Sequence, residues 1–347
     1  MKRALWRLAR VSWRERASGP IRGLTWLLGP LSWLWARWTS SRNRYYDRVG
    51  GTRVEGIRMA SVGNLAVGGT GKTPLTGWMA GRLVERGVRA AVVLRGYGRD
   101  EVLLHRRWNP AVAVIVGPDR IAGARAAREG GAEVALLDDG FQHRRLARDL
   151  DLVVLAVEDP RPLRLLPAGP YREPWSGLAR ADAVVLTRRG ASAQRARALA
   201  RAVEADFPGL VRAAVHLAPA GWTDLDGMPG APPEGRVLAV ATVARPEDFR
   251  DDVARVTGSD VELLEFADHH EYTATDVRGI VRRAAGRTIA VTEKDAVKLA
   301  PHAGALVGAR VMVQELRWDW GEEAMGSLLD ALAAGEVGVE SGDEGVT

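Results

Sequence analysis

A glycine-rich turn between an apolar run and a helix-like stretch constrains this chain more than any other feature of its sequence. The turn reads Ser61-Val-Gly-Asn-Leu-Ala-Val-Gly-Gly-Thr-Gly-Lys-Thr-Pro74. Its glycines let backbone N–H groups curve around phosphate oxygens, and the amino terminus of the following helix adds partial positive charge. Because such a turn works where a buried strand leads into a helix, the sequence predicts an α/β fold with a phosphate-binding loop.

Each position of this loop has a predicted task. Lys72 is expected to reach the β- and γ-phosphates of a nucleotide, and the Thr73 hydroxyl to hold Mg²⁺. The chain has four lysines among 49 basic residues. A lysine at this position is therefore unlikely to occur by chance. Ala66 stands where the strict pattern has glycine, and its small side chain still allows the turn. The residues predicted to surround the phosphates are Ala66, Val67, Gly68, Gly69, Thr70, Gly71, Lys72 and Thr73.

Short apolar runs alternate with helix-like stretches from residue 54 onward. This alternation predicts a P-loop NTPase-like, mostly parallel sheet with helices on both faces, followed by a smaller second α/β domain. Strands of the first unit are predicted at 56–62, 90–94, 111–116, 134–137, 152–157 and 183–186, and helices at 72–86, 119–129 and 193–206. The second unit has predicted strands at 237–242, 261–266, 288–291 and 310–315, and helices at 247–256 and 274–285.

Changes in composition divide the chain into four parts. Residues 1–50 form a basic, Trp-rich segment, 51–220 the P-loop domain, 221–335 the smaller α/β domain and 336–347 a loose tail. The Gly-, Pro- and Asp-rich stretch 221–235 reads as a linker or a hairpin. Because the chain contains no cysteine, disulfides, thiolate zinc sites, iron–sulfur clusters and cysteine nucleophiles are excluded.

The first fifty residues carry most of the unusual charge. They hold eleven Lys or Arg against Glu15 and Asp47, and six of the twelve tryptophans. Basic residues interleaved with Trp and Leu are typical of a helix that lies in a membrane interface beside anionic lipid. The longest uncharged run has fourteen residues, which is short of a spanning helix. Packing of this helix on its own protein or on a partner is the alternative. The remaining chain is not basic, which argues against nucleic acid as a partner.

Two acidic residues follow the predicted strand at 134–137. Carboxylates at the carboxyl end of a parallel strand lie at the mouth of the sheet, so Asp138 or Asp139 is predicted to bind Mg²⁺. Since neighbouring residues on a strand point in opposite directions, one of the two is expected to face the metal. An acidic turn that caps the next segment is the alternative interpretation.

Phosphate transfer to an alcohol also needs a base for the attacking hydroxyl. Asp100 or Glu101 after Arg95-Gly-Tyr-Gly-Arg99, and His269 or His270 in Phe266-Ala-Asp-His-His270, are candidates that spacing alone does not join. A rigid loop at 166–174 presents Arg172, which suits a phosphate, and Glu173, which suits a cation. Thr292-Glu-Lys-Asp295 lacks the Asn-Lys-x-Asp pattern of guanine-binding proteins, which favours ATP.

Six ordered motifs together resemble the tetraacyldisaccharide 4'-kinase family, the lipid A 4'-kinases. The resemblance runs from about residue 42 to 316. Its motifs are Gly63-Asn-Leu-x-Val-Gly-Gly-Thr-Gly-Lys-Thr-Pro74, Arg95-Gly-Tyr-Gly-Arg99, Asp138-Asp-Gly-Phe-Gln142, Pro167-Ala-Gly-Pro170 with Arg172-Glu-Pro174, Phe266-x-Asp-His269 and Thr292-Glu-Lys-Asp295. The chain departs from the family in one place, because Asp100 and Glu101 follow the Arg-Gly-Tyr segment without the usual longer loop.

The resemblance implies transfer of the ATP γ-phosphate to the 4'-hydroxyl of a tetraacyl glucosamine disaccharide 1-phosphate, in lipid A assembly on the cytoplasmic face of the inner membrane. It implies that Asp100 takes the hydroxyl proton and that His269 orients and polarises it. The roles implied for other residues are Mg²⁺ binding by Thr73 and Asp139 with Asp138 and Glu173 as further ligands, phosphate binding by Arg172, and lining of the site by Tyr97, Glu101 and Gln142.

Two other classes of function fit parts of the sequence. A P-loop nucleotide switch that regulates a membrane partner would use the phosphate loop, but it gives the base candidates no task. A membrane-binding module without catalysis would leave the phosphate loop idle. Incubation with ATP and a lipid acceptor separates these classes from the kinase.

Overall fold

The computed structural model describes residues 27–96, 98–159 and 163–336. Two 3₁₀ turns lie at Trp175–Arg180 and Ala300–Ala305. The helices are α1 (Gly29–Val49), α2 (Lys72–Glu85), α3 (Arg99–Trp108), α4 (Arg120–Glu129), α5 (Ala193–Asp206), α6 (Pro246–Thr257), α7 (Ala274–Ala284), α8 (Glu293–Leu299) and α9 (Glu322–Ala334). The strands are β1 (Arg58–Gly63), β2 (Ala90–Leu94), β3 (Ala113–Val116), β4 (Val134–Asp138), β5 (Leu150–Ala156), β6 (Ala183–Arg188), β7 (Val211–Thr223), β8 (Pro229–Gly230), β9 (Val237–Ala241), β10 (Val261–Glu265), β11 (Thr288–Thr292) and β12 (Arg310–Trp320).

The twelve strands form one sheet in the order β10-β9-β11-β12-β7-β6-β5-β1-β4-β2-β3, and β8 pairs with the end of β7. β12 is antiparallel to β7, and β8 is antiparallel to β7. The remaining pairs of neighbouring strands are parallel. This mostly parallel sheet confirms the predicted α/β fold class.

Apolar side chains cover both faces of the sheet because successive residues of a strand point to opposite sides. On one face α2 and α9 pack through Leu75, Met79 and Leu329 against the centre of the sheet. On the other face α5 packs through Leu199 and Val203. A separate cluster surrounds β9 and β11 beneath α7. Burial on both faces explains why these strands read as continuous apolar runs in the sequence.

Four elements of more than two residues escape prediction from the sequence pattern. One is the short helix α8, which begins within the Thr292-Glu-Lys-Asp295 motif. α3 begins directly after Gly98, and the charged residues Arg99, Asp100 and Glu101 precede its short apolar run. β7 is thirteen residues long and alternates between buried and exposed positions only in part. α9, the last helix among the described residues, has a short apolar stripe that packs against α2. The other predicted strands and helices are present, and their ends differ by a few residues from the predicted ones.

The predicted boundary between residues 220 and 221 falls inside β7. The stretch at 221–235 is a hairpin, in which Trp222 pairs with Gly230 and Thr223 with Pro229. β7 pairs with β6 of the first unit over its first half, and its last residues pair with the start of β12. β12 in turn pairs with β11. The β7–β12 ribbon therefore connects the two predicted units by backbone hydrogen bonds.

Helix α1 is the described part of the predicted membrane segment, and residues 1–26 of that segment lie outside the described residues. Ser32 donates to the carbonyl of Leu165, and the Trp35 indole donates to the carbonyl of Arg172 over 2.8 Å. Other side chains of α1 are exposed, including Trp33 at 59% and Trp38 at 56%. Within the described ranges, no helix combines the length and apolar character needed to cross a bilayer. One side of α1 thus packs on the loop at 163–173, and the other leaves large apolar groups uncovered.

Candidate active site

The phosphate loop lies where the sequence predicts it, between β1 and α2. Gly71 is the residue before α2 and has a φ of 93°, in the left-handed region that favours glycine. Gly68 has a φ of 119°, and a Cβ there would meet nothing within 4 Å, so the loop is open on that side. Lys72 and Thr73 occupy the first turn of α2, where the N–H groups of the helix point toward an anion.

Side chains behind the loop hold its backbone carbonyls. The Thr187 hydroxyl donates to the carbonyl of Thr70 over 2.6 Å, and the Arg189 guanidinium donates to the carbonyl of Gly69 over 3.0 Å. The Asn64 amide donates to the Thr70 hydroxyl over 2.8 Å. Since these contacts engage oxygens of the loop on its protein side, they fix its shape without a bound nucleotide.

The predicted loop at 166–174 pairs with the beginning of the phosphate loop. The N–H of Val67 donates to the carbonyl of Pro170 over 2.8 Å, and the N–H of Arg172 donates to the carbonyl of Leu65 over 2.7 Å. This pairing carries the Arg172 side chain to the carboxyl end of β4. The Arg172 guanidinium then donates to Asp139 and to the Gln142 side chain, over 2.9 and 3.2 Å.

Asp138 and Asp139 face different partners, because Asp138 ends β4 and Asp139 follows it with a φ of 59°, outside the extended backbone of the strand. An Asp139 oxygen lies 3.6 Å from the Lys72 ammonium, and both of its oxygens lie 2.9 Å from the Arg172 guanidinium. Burial alone would raise the pKa of Asp139, but the charges of Lys72 and Arg172 lower it to about 2. Asp139 is therefore an ionised carboxylate beside the phosphate loop.

Asp138 instead turns toward α3. Its carboxylate lies 3.0 Å from the Nε2 atom of His105, and both side chains are almost fully buried. The sequence analysis does not identify His105, because its position on the inner side of α3 becomes visible only once a helix is placed there. This contact attaches α3 to the carboxyl end of β4, next to the phosphate loop.

The other predicted site residues fall into separate groups. The Glu173 carboxylate pairs with the Arg180 guanidinium at 2.8 Å and accepts from the Asn43 amide at 2.8 Å. Glu173 is 2% exposed, and these partners engage its carboxylate. Its burial and its contacts do not favour the predicted role as a ligand of Mg²⁺. The Gln142 amide donates to the carbonyl of Asn64 at the base of the phosphate loop. Tyr97 lies outside the described residues.

Asp100 and His269 meet although 169 residues separate them in the chain. The Nδ1 atom of His269 lies 3.0 and 3.1 Å from the two oxygens of Asp100. Asp100 stands in the first turn of α3, and His269 follows β10 with a φ of 57°. A Cβ on Gly98 would come within 2.3 Å of Asp100 and 2.4 Å of His269, so only glycine leaves room for the pair. The short connection before Asp100 does not prevent this contact.

The two members of this Asp100–His269 dyad differ in exposure. The Asp100 side chain is 1% exposed and that of His269 is 32% exposed. The hydrogen bond to Asp100 raises the pKa of His269 above its usual 6.5, although burial opposes the shift. Burial would raise the pKa of Asp100, but the hydrogen bond from His269 and the charge of Lys294 keep it well below its usual range.

The alternative base candidates have other partners. The Glu101 carboxylate lies 3.3 Å from the Lys294 ammonium. The His270 ring stacks on Phe266, and its Nε2 atom lies 3.1 Å from Asp276 at the start of α7. Of the four candidates from the sequence, the structure therefore brings together only Asp100 and His269 as an acid–base pair.

The loop and its neighbours fit a nucleotide with a divalent cation. Gly68 leaves an open cradle, Lys72 supplies a compact positive charge, and Thr73 and Asp139 supply oxygens of the kind that Mg²⁺ prefers. Among the described residues, no three His, Cys, Asp or Glu side chains cluster as a metal site. A P-loop site does not require such a cluster, because phosphates and water complete the coordination.

Comparison with known proteins agrees with this geometry. A family model described as tetraacyldisaccharide-1-P 4'-kinase matches residues 24–102 and 100–334. A tetraacyldisaccharide 4'-kinase of Anaeromyxobacter dehalogenans (strain 2CP-C) is 38% identical over 346 residues, covering 88% of this chain and 89% of that protein. The corresponding protein of Bdellovibrio bacteriovorus is 33% identical over 307 residues, covering 78% and 88%.

A solved structure is similar over most of the chain. It is LpxK from Aquifex aeolicus in complex with ATP, which is 26% identical and superposes with a TM-score of 0.67 over 89% of this chain and 99% of that one. The family match covers most of the chain, and together with these relatives it confirms the resemblance found in the sequence. The chain belongs to the tetraacyldisaccharide 4'-kinase family.

Proposed function

We propose that this protein transfers the γ-phosphate of ATP to the 4'-hydroxyl of a tetraacyl glucosamine disaccharide 1-phosphate. The observation that carries the proposal is the Asp100–His269 dyad, which a protein that only binds nucleotide would not need. α3 carries Asp100 at its start and His105 later, and His105 contacts Asp138 beside Asp139 and Lys72. The same helix thus connects the dyad with the phosphate loop.

Two side chains and the N–H groups of the loop are proposed to bind the phosphate groups. Lys72 and the N–H groups of the loop neutralise the developing negative charge, and Arg172 adds a second cation at Asp139. A Mg²⁺ ion held by Thr73 and Asp139 would supply further charge neutralisation to the phosphates. Asp100 belongs to the proposed P-loop domain (51–220) and His269 to the proposed smaller domain (221–335), so both contribute residues to the site.

We propose that His269 accepts the proton of the sugar hydroxyl. Its Nδ1 atom is bonded to Asp100, so its Nε2 atom is the one left for a substrate. The Asp100 carboxylate is buried, and both of its oxygens contact His269. We therefore assign Asp100 the role of orienting the ring and stabilising the imidazolium. This order reverses the prediction from the sequence, in which Asp100 takes the proton. The reason is burial, which the sequence does not reveal.

A transfer assay tests the function itself. The protein is incubated with γ-labelled ATP, Mg²⁺ and the tetraacyldisaccharide 1-phosphate in detergent micelles. Label on the 4'-position of the sugar is the expected result. Hydrolysis of ATP at an equal rate with and without the lipid, and no labelled lipid, would contradict the proposal and support the nucleotide switch.

The pH dependence of turnover follows from the dyad. Because Asp100 raises the pKa of His269, the neutral imidazole that can accept a proton predominates only above a pKa higher than 6.5. We expect kcat to rise with pH through that value. Asp100→Asn removes the charge that favours the imidazolium, so the rise should move to lower pH while the maximum of kcat falls about 10²- to 10⁴-fold. A pH profile of kcat that Asp100→Asn leaves in place would contradict the assignment.

We propose that the protein works at the cytoplasmic face of the inner membrane. α1 and the basic segment before it are proposed to bind the surface of that membrane. Leu31, Trp33, Leu34 and Trp38 of α1 are each more than half exposed. Apolar and aromatic groups on a basic helix favour insertion into the interface of a bilayer that contains anionic lipid. Such binding would bring the site to an acceptor whose acyl chains stay in the bilayer.

Serine at Leu31, Trp33 and Leu34 is expected to weaken binding to vesicles of anionic lipid at least about tenfold, since partial insertion of one large apolar side chain contributes about 1 kcal/mol or more. Co-sedimentation with the vesicles measures the effect, and Val307→Ser, at a 90% exposed site elsewhere, is the control. These substitutions retain Trp35, whose indole holds the loop at Arg172, so the active site is preserved. Equal sedimentation of the triple variant and the control would remove α1 from the membrane contact.

A further inference from the structure

The motif Thr292-Glu-Lys-Asp295 has no task in the function described so far. It begins α8, which lies on the buried side of the dyad. The Lys298 ammonium, at the other end of α8, lies 3.8 Å from an Asp100 oxygen and 3.7 Å from an Asp295 oxygen. It also donates to the Thr242 hydroxyl. The Lys298 side chain has no exposed surface, so its charge acts on these partners and not on solvent.

Asp295 fixes the position of this ammonium. Its carboxylate accepts from the N–H of Thr242 at 3.1 Å, from the Tyr272 hydroxyl at 3.0 Å and from the Thr292 hydroxyl at 2.7 Å. Three residues from different segments of the second unit therefore hold one carboxylate. Because these hydrogen bonds hold Asp295 in one position, they also position the ammonium paired with it, so Asp100 contacts a preorganised charge.

We propose that Lys298 is a positioning residue for the reaction: its fixed ammonium holds the Asp100 carboxylate against His269 and tunes the proton affinity of the imidazole. The proposal rests on the proposed function of the dyad. Asp100 lies between two cationic groups, Lys298 on one side and His269 on the other when the ring is protonated. An enclosed carboxylate without the ammonium would be an incompletely paired buried charge, which folded proteins avoid.

The charges around the dyad come from three segments. Glu101 is contributed by α3, Asp268 by the segment after β10, and Lys294, Asp295 and Lys298 by α8. Glu101 and Lys294 pair with each other, and Asp268 lies 3.9 Å from the Nε2 atom of His269. Removal of Lys298 leaves the negative charge of Asp100 less compensated. The imidazolium is then favoured, and a higher pH is needed to form the neutral base.

The use of lysine at this position agrees with the proposal. Lys72, Lys294 and Lys298 are three of the four lysines in a chain in which arginine supplies nearly all other cations. An ammonium is a compact point charge that can lie between two carboxylates, whereas a guanidinium is larger and planar. The lysines of the globular part are thus concentrated at the phosphate loop and behind the dyad.

The absence of cysteine from the chain allows a matched test of the charge. Lys298→Cys provides a single thiol, which is alkylated in denaturant and refolded. Alkylation with 2-bromoethylamine gives a side chain with the length and charge of lysine. Alkylation with 1-bromopropane gives a neutral side chain of the same shape. The original protein, which has no thiol, is carried through both treatments as the control.

We expect the aminoethyl protein to recover the kcat and the pH profile of the control. The propyl protein should show kcat lowered about tenfold or more and the rise of kcat moved to higher pH, with the KM for ATP changed less than about twofold. This shift is opposite in direction to that of Asp100→Asn. Identical pH profiles of the two alkylated proteins would overturn the proposal.

A double variant tests the same point without refolding. If Lys298 acts through Asp100, Asp100→Asn with Lys298→Met should have the kcat of Asp100→Asn alone, because the ammonium no longer has a carboxylate to position. A further loss of kcat equal to that of Lys298→Met by itself would overturn the proposal. A failure of the proposed function is distinguishable, since the unmodified protein would then transfer no phosphate to the lipid.

Discussion

Lys72→Ala is expected to lower phosphate transfer to the lipid by about 10³-fold or more while the protein stays folded. The ammonium of Lys72 lies at the start of α2, where the phosphate groups of the nucleotide would contact the helix. Alanine removes this positive charge, which stabilises the transition state more than the bound substrate. Asp139 keeps its contact with Arg172, so no buried carboxylate is left without a cation. Single-turnover transfer of labelled phosphate measures the loss.

The interpretation of this variant depends on an intact fold. Thermal unfolding of Lys72→Ala should resemble that of the unchanged protein, because the Lys72 side chain contacts only Asp139 among the described ion pairs. Arg53→Ala provides a matched control, since it removes one cation from an exposed pair with Asp149. We expect that control to transfer phosphate normally. Substantial transfer by a folded Lys72→Ala protein would show that the loop does not bind the transferred phosphate.

His269→Ala is expected to lower kcat by about 10²- to 10⁴-fold, the range for loss of a positioned acid–base group, with little change in the KM for ATP. The imidazole is partly exposed, forms a hydrogen bond with Asp100 and has no described contact with the phosphate loop. Loss of the base should also remove the rise of kcat with pH. Steady-state kinetics across a range of pH values measure both effects.

His270→Ala is the matched control for this variant. The neighbouring histidine contacts Asp276 and stacks on Phe266, so its loss should change local stability but not the pH dependence of kcat. Should His269→Ala raise the KM for ATP and keep kcat, His269 would be a nucleotide-binding group. Equal kinetics for the two alanine variants would contradict the dyad.

Strands and the phosphate loop could be predicted because their signals are local. β2 and α5 have the predicted bounds, since a strand buried on both faces and a helix with an apolar stripe each leave a short repeating pattern. The loop around Lys72 needs glycines at fixed places for its backbone shape, and those are visible in one window of the sequence.

The dyad could be predicted only through the family resemblance. Asp100 and His269 are 169 residues apart, and no spacing rule joins them. The structure supplies what the sequence lacked: α3 brings Asp100 into contact with His269, and the burial of Asp100 is the basis for our proposal that His269 meets the substrate. His105 and Lys298 were missed for the same reason, because each becomes informative only when its tertiary partner is known.

The place of β12 in the sheet has a consequence for how the protein is made. β12 ends at Trp320, late in the chain, yet it lies between β7 and β11 and joins β9–β11 to the earlier strands. Until β12 has left the ribosome, the edge of β7 that pairs with it has unpaired backbone N–H and C=O groups. Unpaired strand edges promote association between nascent chains. Ribosome-bound or truncated chains that lack residues 310–320 should therefore depend on chaperones to stay in solution.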